Sequence, residues 1–90
     1  MPENPRGPYR IEIMSAALKE LARIPEPFQS QIRRRIDLLA INPQPGSAKP
    51  LKGSEFWRER SGHYRIIYQI KDRELLVLVI KIGKRGDVYR

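Results

Sequence analysis

Phe56-Trp57-Arg58-Glu59-Arg60-Ser61-Gly62-His63-Tyr64-Arg65-Ile66-Ile67-Tyr68-Gln69-Ile70 is the stretch that decides the fold. Two runs of alternating character flank a Ser-Gly pair, the pattern of two antiparallel strands joined by a two-residue loop. With Ser61 and Gly62 as that loop, Arg60 sits opposite His63 and Arg58 opposite Arg65. Successive side chains of a strand point to opposite faces, so Phe56, Arg58, Arg60, His63 and Arg65 share one side. Glu59, the nearest carboxylate, points to the other side. Like charges directly across a strand pair destabilise it, and two facing arginines without an acid imply an external anion. Trp57, Tyr64 and Tyr68 alternate on the opposite face and read as core, with base stacking by Trp57 as the alternative.

Working outward, Lys71-Asp72-Arg73-Glu74 forms the next turn, and Leu75 to Ile82 a nearly continuous apolar run. Such a run marks a central strand covered for much of its length on both faces. Gly83 then releases the chain into the basic tail Lys84 to Arg90. Upstream, residues 42–53 read as a loop rich in proline, glycine and lysine, and Lys49 and Lys52 add charge beside the hairpin. Phe28, Ile32, Ile36 and Leu39 recur at intervals of three and four, which predicts an amphipathic helix ending before Asn42-Pro43. Pro25-Glu26-Pro27 opens that helix, proline being tolerated in a first turn. A shorter helix, Ala16 to Arg23, precedes it, with Ser15 as N-cap. Tyr9 to Ile13 alternates as a first strand with Tyr9, Ile11 and Ile13 inward, and residues 1–8, with three prolines, form a loose arm. The order β-α-α-β-β-β gives one α+β domain over residues 1–90, a mainly antiparallel twisted sheet packed against an N-terminal helical hairpin.

Composition narrows the chemistry. The 90 residues hold no cysteine and a single histidine, which removes disulfides, thiolate nucleophiles, zinc–cysteine sites and paired-histidine nucleases. No apolar run reaches the roughly 18 residues of a membrane span, and no signal segment opens the chain, so a cytoplasmic protein without a membrane partner is expected. The net charge is +8, divided as +3 up to Pro50 and +5 beyond it. That balance favours polyanions, either nucleic acid or an acidic protein. Arg33-Arg34-Arg35 spreads around the second helix and reads equally as a nucleic-acid patch or a solvated face. His63, beside the turn, is a solvated residue or a phosphate contact.

Four segments carry a family resemblance: Pro50-Leu51-Lys52-Gly53, Tyr64-Arg65-Ile66-Ile67-Tyr68, Ile82-Gly83-Lys84-Arg85 and Asp87-Val88-Tyr89. From Tyr9 to Arg90 the chain resembles the RelE/ParE superfamily of toxins from bacterial toxin–antitoxin pairs, with the last two segments closest to its RNA-cleaving RelE branch. The resemblance implies a ribosome-dependent endoribonuclease that cuts messenger RNA in the decoding site of the 70S ribosome without metal or other cofactor. It further implies an acidic antitoxin that wraps and neutralises the toxin, with operator DNA contacted only through that antitoxin. By position, Arg65, Arg85 and Tyr89 match the family's two arginines and late catalytic tyrosine. Arg58 falls where the RelE branch carries a lysine, Arg60 on another basic position, and Phe56 where a further lysine can stand.

Metal-free RNA cleavage requires an activated 2′-hydroxyl, a stabilised phosphorane and a protonated leaving oxygen. Tyr89 is the candidate base, its phenolate favoured by neighbouring guanidinium groups. Arg58 and Arg65 are the candidates to hold the scissile phosphate, since a planar fork matches phosphate bidentately, and Arg85 serves the leaving oxygen. Lys49, Lys52, Arg60, His63, Lys84, Arg33 and Arg34 are the candidate contacts to RNA and ribosome. Two other classes share these features: a ParE-type inhibitor of DNA gyrase with no nuclease site, and a basic nucleic-acid-binding module.

Overall fold

The computed structural model describes residues 7–84. The chain runs β1 (Arg10–Ile13), α1 (Ser15–Ala22), α2 (Phe28–Ile41), β2 (Lys49–Pro50), β3 (Phe56–Ser61), β4 (Tyr64–Lys71), a 3-10 turn (Asp72–Glu74) and β5 (Leu76–Lys84). The five strands form one sheet in the order β1-β5-β4-β3-β2. Among the described residues only β1 pairs in parallel, with β5; the other three pairings are antiparallel. This is the expected α+β architecture with one strand more, because Lys49-Pro50 pairs with Arg58 and Trp57 instead of remaining loop. Proline has no N–H for a ladder, and two residues at a sheet edge is as much strand as it tolerates.

Both helices cover one face of the sheet. Ala17 and Leu21 of α1 and Ile32, Ile36 and Leu39 of α2 pack with Tyr64, Ile66, Tyr68, Val77, Val79 and Ile82 from the strands. Each large side chain so buried stabilises by about 1.5–3 kcal/mol. The α2 stripe at 32, 36 and 39 is helical because its spacing follows the 3.6-residue turn. It stops at Asn42, which is extended at φ −141°, as a residue before proline prefers. The structure corrects two helix boundaries. Ser15 is already inside α1, and Met14 precedes it as an extended cap without a side-chain bond. The chain stays in the sheet up to that point, since the Met14 N–H donates to the Val79 carbonyl at 2.9 Å. Pro25 and Pro27 likewise lie before α2 rather than in its first turn.

Gly83 does not release the chain, because β5 continues through it to Lys84. Beyond Val79 the strand has lost its β1 neighbour, and Glu20 of α1 takes over the exposed edge. Its carboxylate accepts the Ile82 N–H at 3.0 Å and the Lys81 Nζ at 3.0 Å. At the other end of the sheet, a Cβ on Gly7 would collide with the Ala40 carbonyl, so this part of the predicted loose arm is seated against the end of α2. Among the described residues no helix is long and apolar enough to cross a membrane.

The long connection from α2 to β2 is held at two points. Tyr68 Oη donates to the Pro43 carbonyl at 2.6 Å, and Ser47 Oγ donates to the Glu59 carboxylate at 2.9 Å. Burial pushes the Tyr68 phenol above its ordinary value of 10.0, and the Glu59 charge adds to the shift. The fold therefore favours the neutral phenol. That stability is fully present below the unfolded value near 10 and is lost as pH rises above it. Tyr68→Phe should cost about 1 kcal/mol at pH 7 and reduce the loss of stability between pH 9 and 11, measured by urea unfolding. The remaining alkaline dependence belongs partly to Tyr9, whose phenol is also raised by its hydrogen bond to Asp72.

Candidate functional site

Hairpin geometry decides which basic groups meet. The turn is Gly62-His63, one residue later than Ser61-Gly62, and Ser61 stays in β3 paired with Tyr64. Gly62 has φ +62°, the backbone that a type II′ turn asks of its first central residue and that only glycine adopts without strain. Two corrections follow. Arg60, not Arg58, stands directly opposite Arg65, and Arg58 faces Ile67. His63 leaves the strand face and becomes an exposed turn residue.

Directly paired residues share a face. The side turned away from the helices therefore carries Phe56, Arg58 and Arg60 from β3 and Arg65, Ile67 and Gln69 from β4. Lys49 of β2 joins them opposite Arg58. Cβ atoms of directly opposed residues lie about 4.5–5.5 Å apart and diagonal ones about 7–8 Å. Three arginines and a lysine therefore share one patch.

Arg65 is the unusual member. It is only 4% exposed. Its Nη1 donates to the Tyr64 carbonyl at 3.3 Å, and its buried Nε has no partner among the described residues. A guanidinium stays charged throughout the accessible pH range. Holding one nearly buried, across from Arg60 and without a carboxylate among the described residues, costs folding energy that an anion would return. On the β5 side its neighbour is Gly83, which offers no side chain to compete for the same space.

The nearby acids act elsewhere. Glu59 is 1% exposed on the helix side. It accepts Ser47 Oγ on both oxygens and the Arg60 N–H at 3.2 Å, and faces Arg35 Nη1 at 3.8 Å. Glu12 shares the helix-free face by register, but lies two strands from Arg65 and pairs with Arg10 at 3.4 Å. Among the described residues no tyrosine shares the face with Arg65. Tyr64 and Tyr68 belong to the core, as does partly buried Trp57, and Tyr9 donates to Asp72 at 2.6 Å.

The remaining candidates are dispersed. Lys52 is exposed in the turn after β2. Lys84 pairs with Tyr64 and so lies on the helix side. There it lines a hollow of about 450 Å³ with Arg23, Ile24, Tyr64 and Lys81. Arg33 and Arg34 are exposed on α2, behind the sheet. Arg85 and Tyr89 lie outside the described residues. The structure thus joins Arg58, Arg60, Arg65 and Lys49, and separates Lys84, Arg33 and Arg34 from them. Two features escaped the sequence reading: Arg35 reaching buried Glu59, and Gly83 beside Arg65. The second is set by the β4–β5 register, which the β3–β4 turn does not determine.

Comparison with known proteins agrees with this architecture. Residues 11–89 match the family model described as ParE toxin of type II toxin–antitoxin systems. A protein of Escherichia coli named as RelE-like toxin is 31% identical over 85 residues, covering 90% of each chain. The mRNA interferase toxin RelE of Escherichia coli K12 is 29% identical over 86 residues, again covering 90% of each. Among solved structures, the archaeal RelE–RelB complex from Pyrococcus horikoshii contains a chain that superposes with TM-score 0.78 at 26% identity. That match covers 87% of the present chain and 96% of the archaeal one. The chain belongs to the RelE/ParE superfamily of toxins from type II toxin–antitoxin systems.

Proposed function

We propose that this toxin is a ribosome-dependent endoribonuclease that cuts messenger RNA in the decoding site and so stops translation. The observation that carries the reading is Arg65, a nearly buried guanidinium with no counter-charge among the described residues, beside Arg58 and Arg60 on the helix-free face. A phosphate fits that vacancy of charge, and a planar fork holds it bidentately. The similarity to a named mRNA interferase supports the same reaction.

In the proposed step a base removes the proton of the 2′-hydroxyl, and the oxygen attacks the adjacent phosphorus. The P–O5′ bond then breaks, and the leaving oxygen receives a proton. The products are a 2′,3′-cyclic phosphate and a 5′-hydroxyl. Arg65 and Arg58 hold the phosphate and offset the charge that grows on the phosphorane. Tyr89 is assigned the base and Arg85 the leaving oxygen through the family resemblance. Lys49, Arg60, His63 and Lys52 hold flanking RNA. A group of this kind is weak in acid–base power, which suits an enzyme whose substrate is aligned by the ribosome. Orientation alone contributes up to about 7–11 kcal/mol. The antitoxin is a separate acidic protein, by analogy with the archaeal RelE–RelB complex and in keeping with the charge of +8.

One observation favours a second reading, inhibition of DNA gyrase: the matching family model takes its name from ParE. Purified protein added to programmed ribosomes decides between the two, with new message ends mapped by primer extension. The nuclease reading expects discrete cuts on ribosomes and almost none in the same message alone. Intact message together with blocked gyrase supercoiling would replace it with the ParE reading.

A further inference from the structure

We propose that the hollow between α2 and the β3–β4 turn is a second phosphate-binding site, for an RNA backbone, which holds the protein on its target without taking part in cleavage. The proposal rests on the nucleic-acid reading above. The hollow measures about 260 Å³ and is lined by Gln31, Arg34, Arg35, Leu38, Ser61 and Gly62. This is slightly less than the smallest ordinary ligand pockets of about 300 Å³, with room for a backbone phosphate.

Its donors suit an anion. Arg34 is exposed and makes no ion pair among the described residues. The Arg35 side chain is 43% exposed and meets Glu59 through a single contact at 3.8 Å, which leaves most of its five N–H donors for a ligand. Glu59 offsets one of the two guanidinium charges, so the hollow keeps a net positive charge. Ser61 contributes a hydroxyl, and open space lies where Gly62 lacks a Cβ, so a phosphate can approach the backbone closely.

The position connects it to the cleavage face. β2 ends its pairing at Arg58, and Arg60-Ser61 therefore forms the rim of the sheet. Arg60 shares the face of Arg65, Ser61 shares the face of Tyr64, and one residue separates the two sides. A strand of RNA leaving Arg65 and Arg60 crosses this rim to reach Arg34. Arg33, one position away, is placed differently. It lines another hollow with Ile11, Ile13, Ile36 and Asp37, and its charge helps hold the Glu26 carboxyl below the usual range, behind the larger effect of Ser30 hydrogen bonds.

The neighbouring arginines supply a test in which net charge is held equal. Binding to a 2′-O-methyl single-stranded oligonucleotide and to vacant ribosomes is measured across a salt series for wild type, Arg34→Ala and Arg33→Ala. One lost phosphate contact lowers the slope of log affinity against log salt by about 0.7, which is about 5-fold weaker binding at 0.1 M salt. Arg34→Ala should show that loss, and Arg33→Ala should follow wild type. A loss confined to the oligonucleotide assigns the site to message; one confined to ribosomes assigns it to ribosomal RNA, and either upholds it. Equal behaviour of the two variants in both assays overturns it, because net charge alone would then account for binding. Cleavage on programmed ribosomes at saturating protein separates this site from the nuclease reading. Wild type that binds but never cuts refutes the nuclease reading and leaves the binding comparison standing.

Discussion

Arg65→Ala should lower message cleavage on programmed ribosomes by about 10²- to 10³-fold, the usual cost of deleting one charge-stabilising donor from a transition state. Arg65→Lys keeps the charge but loses the planar fork, and should recover only part of the rate. The same position makes a second, opposite demand on stability. Arg65 is nearly buried, faces Arg60 and leaves its Nε unsatisfied among the described residues. Removing such a charge relieves a desolvation cost, and apolar replacements of buried charged groups are often stabilising by about 1–4 kcal/mol. Arg65→Met should therefore unfold at the same or higher urea concentration than wild type while failing to cut. A variant both inactive and strongly destabilised would show that Arg65 serves the fold rather than a phosphate. Residues held at a cost to folding are the ones expected at a working site.

Glu59→Ala should be the most destabilising change among the buried polar groups, by about 3 kcal/mol in urea unfolding at pH 7. The carboxylate is buried, accepts both its Ser47 bonds and the Arg60 N–H, and faces Arg35. Its removal leaves those donors without an acceptor and a void beside Tyr68, and breaking a buried pair typically costs about 3–5 kcal/mol. Glu59→Gln keeps the volume and one acceptor and should lose less. The effect reaches the candidate site through the chain. Ser47 leads directly into β2, where Lys49 is held opposite Arg58, so Ser47→Ala should weaken RNA binding more than its small loss of stability accounts for.

Periodicity carried most of the architecture. The stripe of Ile32, Ile36 and Leu39 and the alternation of Tyr64, Ile66 and Tyr68 placed helix and strand against one core. The apolar run after Leu75 marked a central strand, which β1 and β4 flank. The expected cover on both faces is not found: the helices lie on one face, and Leu78 and Ile80 are only partly buried. Turn chemistry was harder to read. Ser61-Gly62 and Gly62-His63 are both acceptable two-residue loops, and only the structure shows Ser61 retained in the strand, 8% exposed. Alternation survives a slip of this kind within β3 and β4 separately. Arg58, Arg60 and Arg65 therefore fell on one face as expected, while the partner across the ladder changed. The short β2 was illegible because two residues with a proline carry no alternation. Charges on helices resisted reading for another reason. Three consecutive arginines on α2 spread over more than half a turn, and only packing distinguishes Arg35, tied to Glu59, from Arg34 and Arg33.

The nucleophile is the point at which the whole account is most exposed. If Arg65 and its neighbours hold a phosphate for attack by the adjacent 2′-oxygen, a message with one 2′-deoxynucleotide at the mapped cut should remain intact on the ribosome. The all-ribose message in the same reaction should end in a 2′,3′-cyclic phosphate, read by mass spectrometry of the upstream fragment. Cleavage of the deoxy-substituted message at that bond, or an upstream fragment ending in a free 3′-hydroxyl, would contradict it.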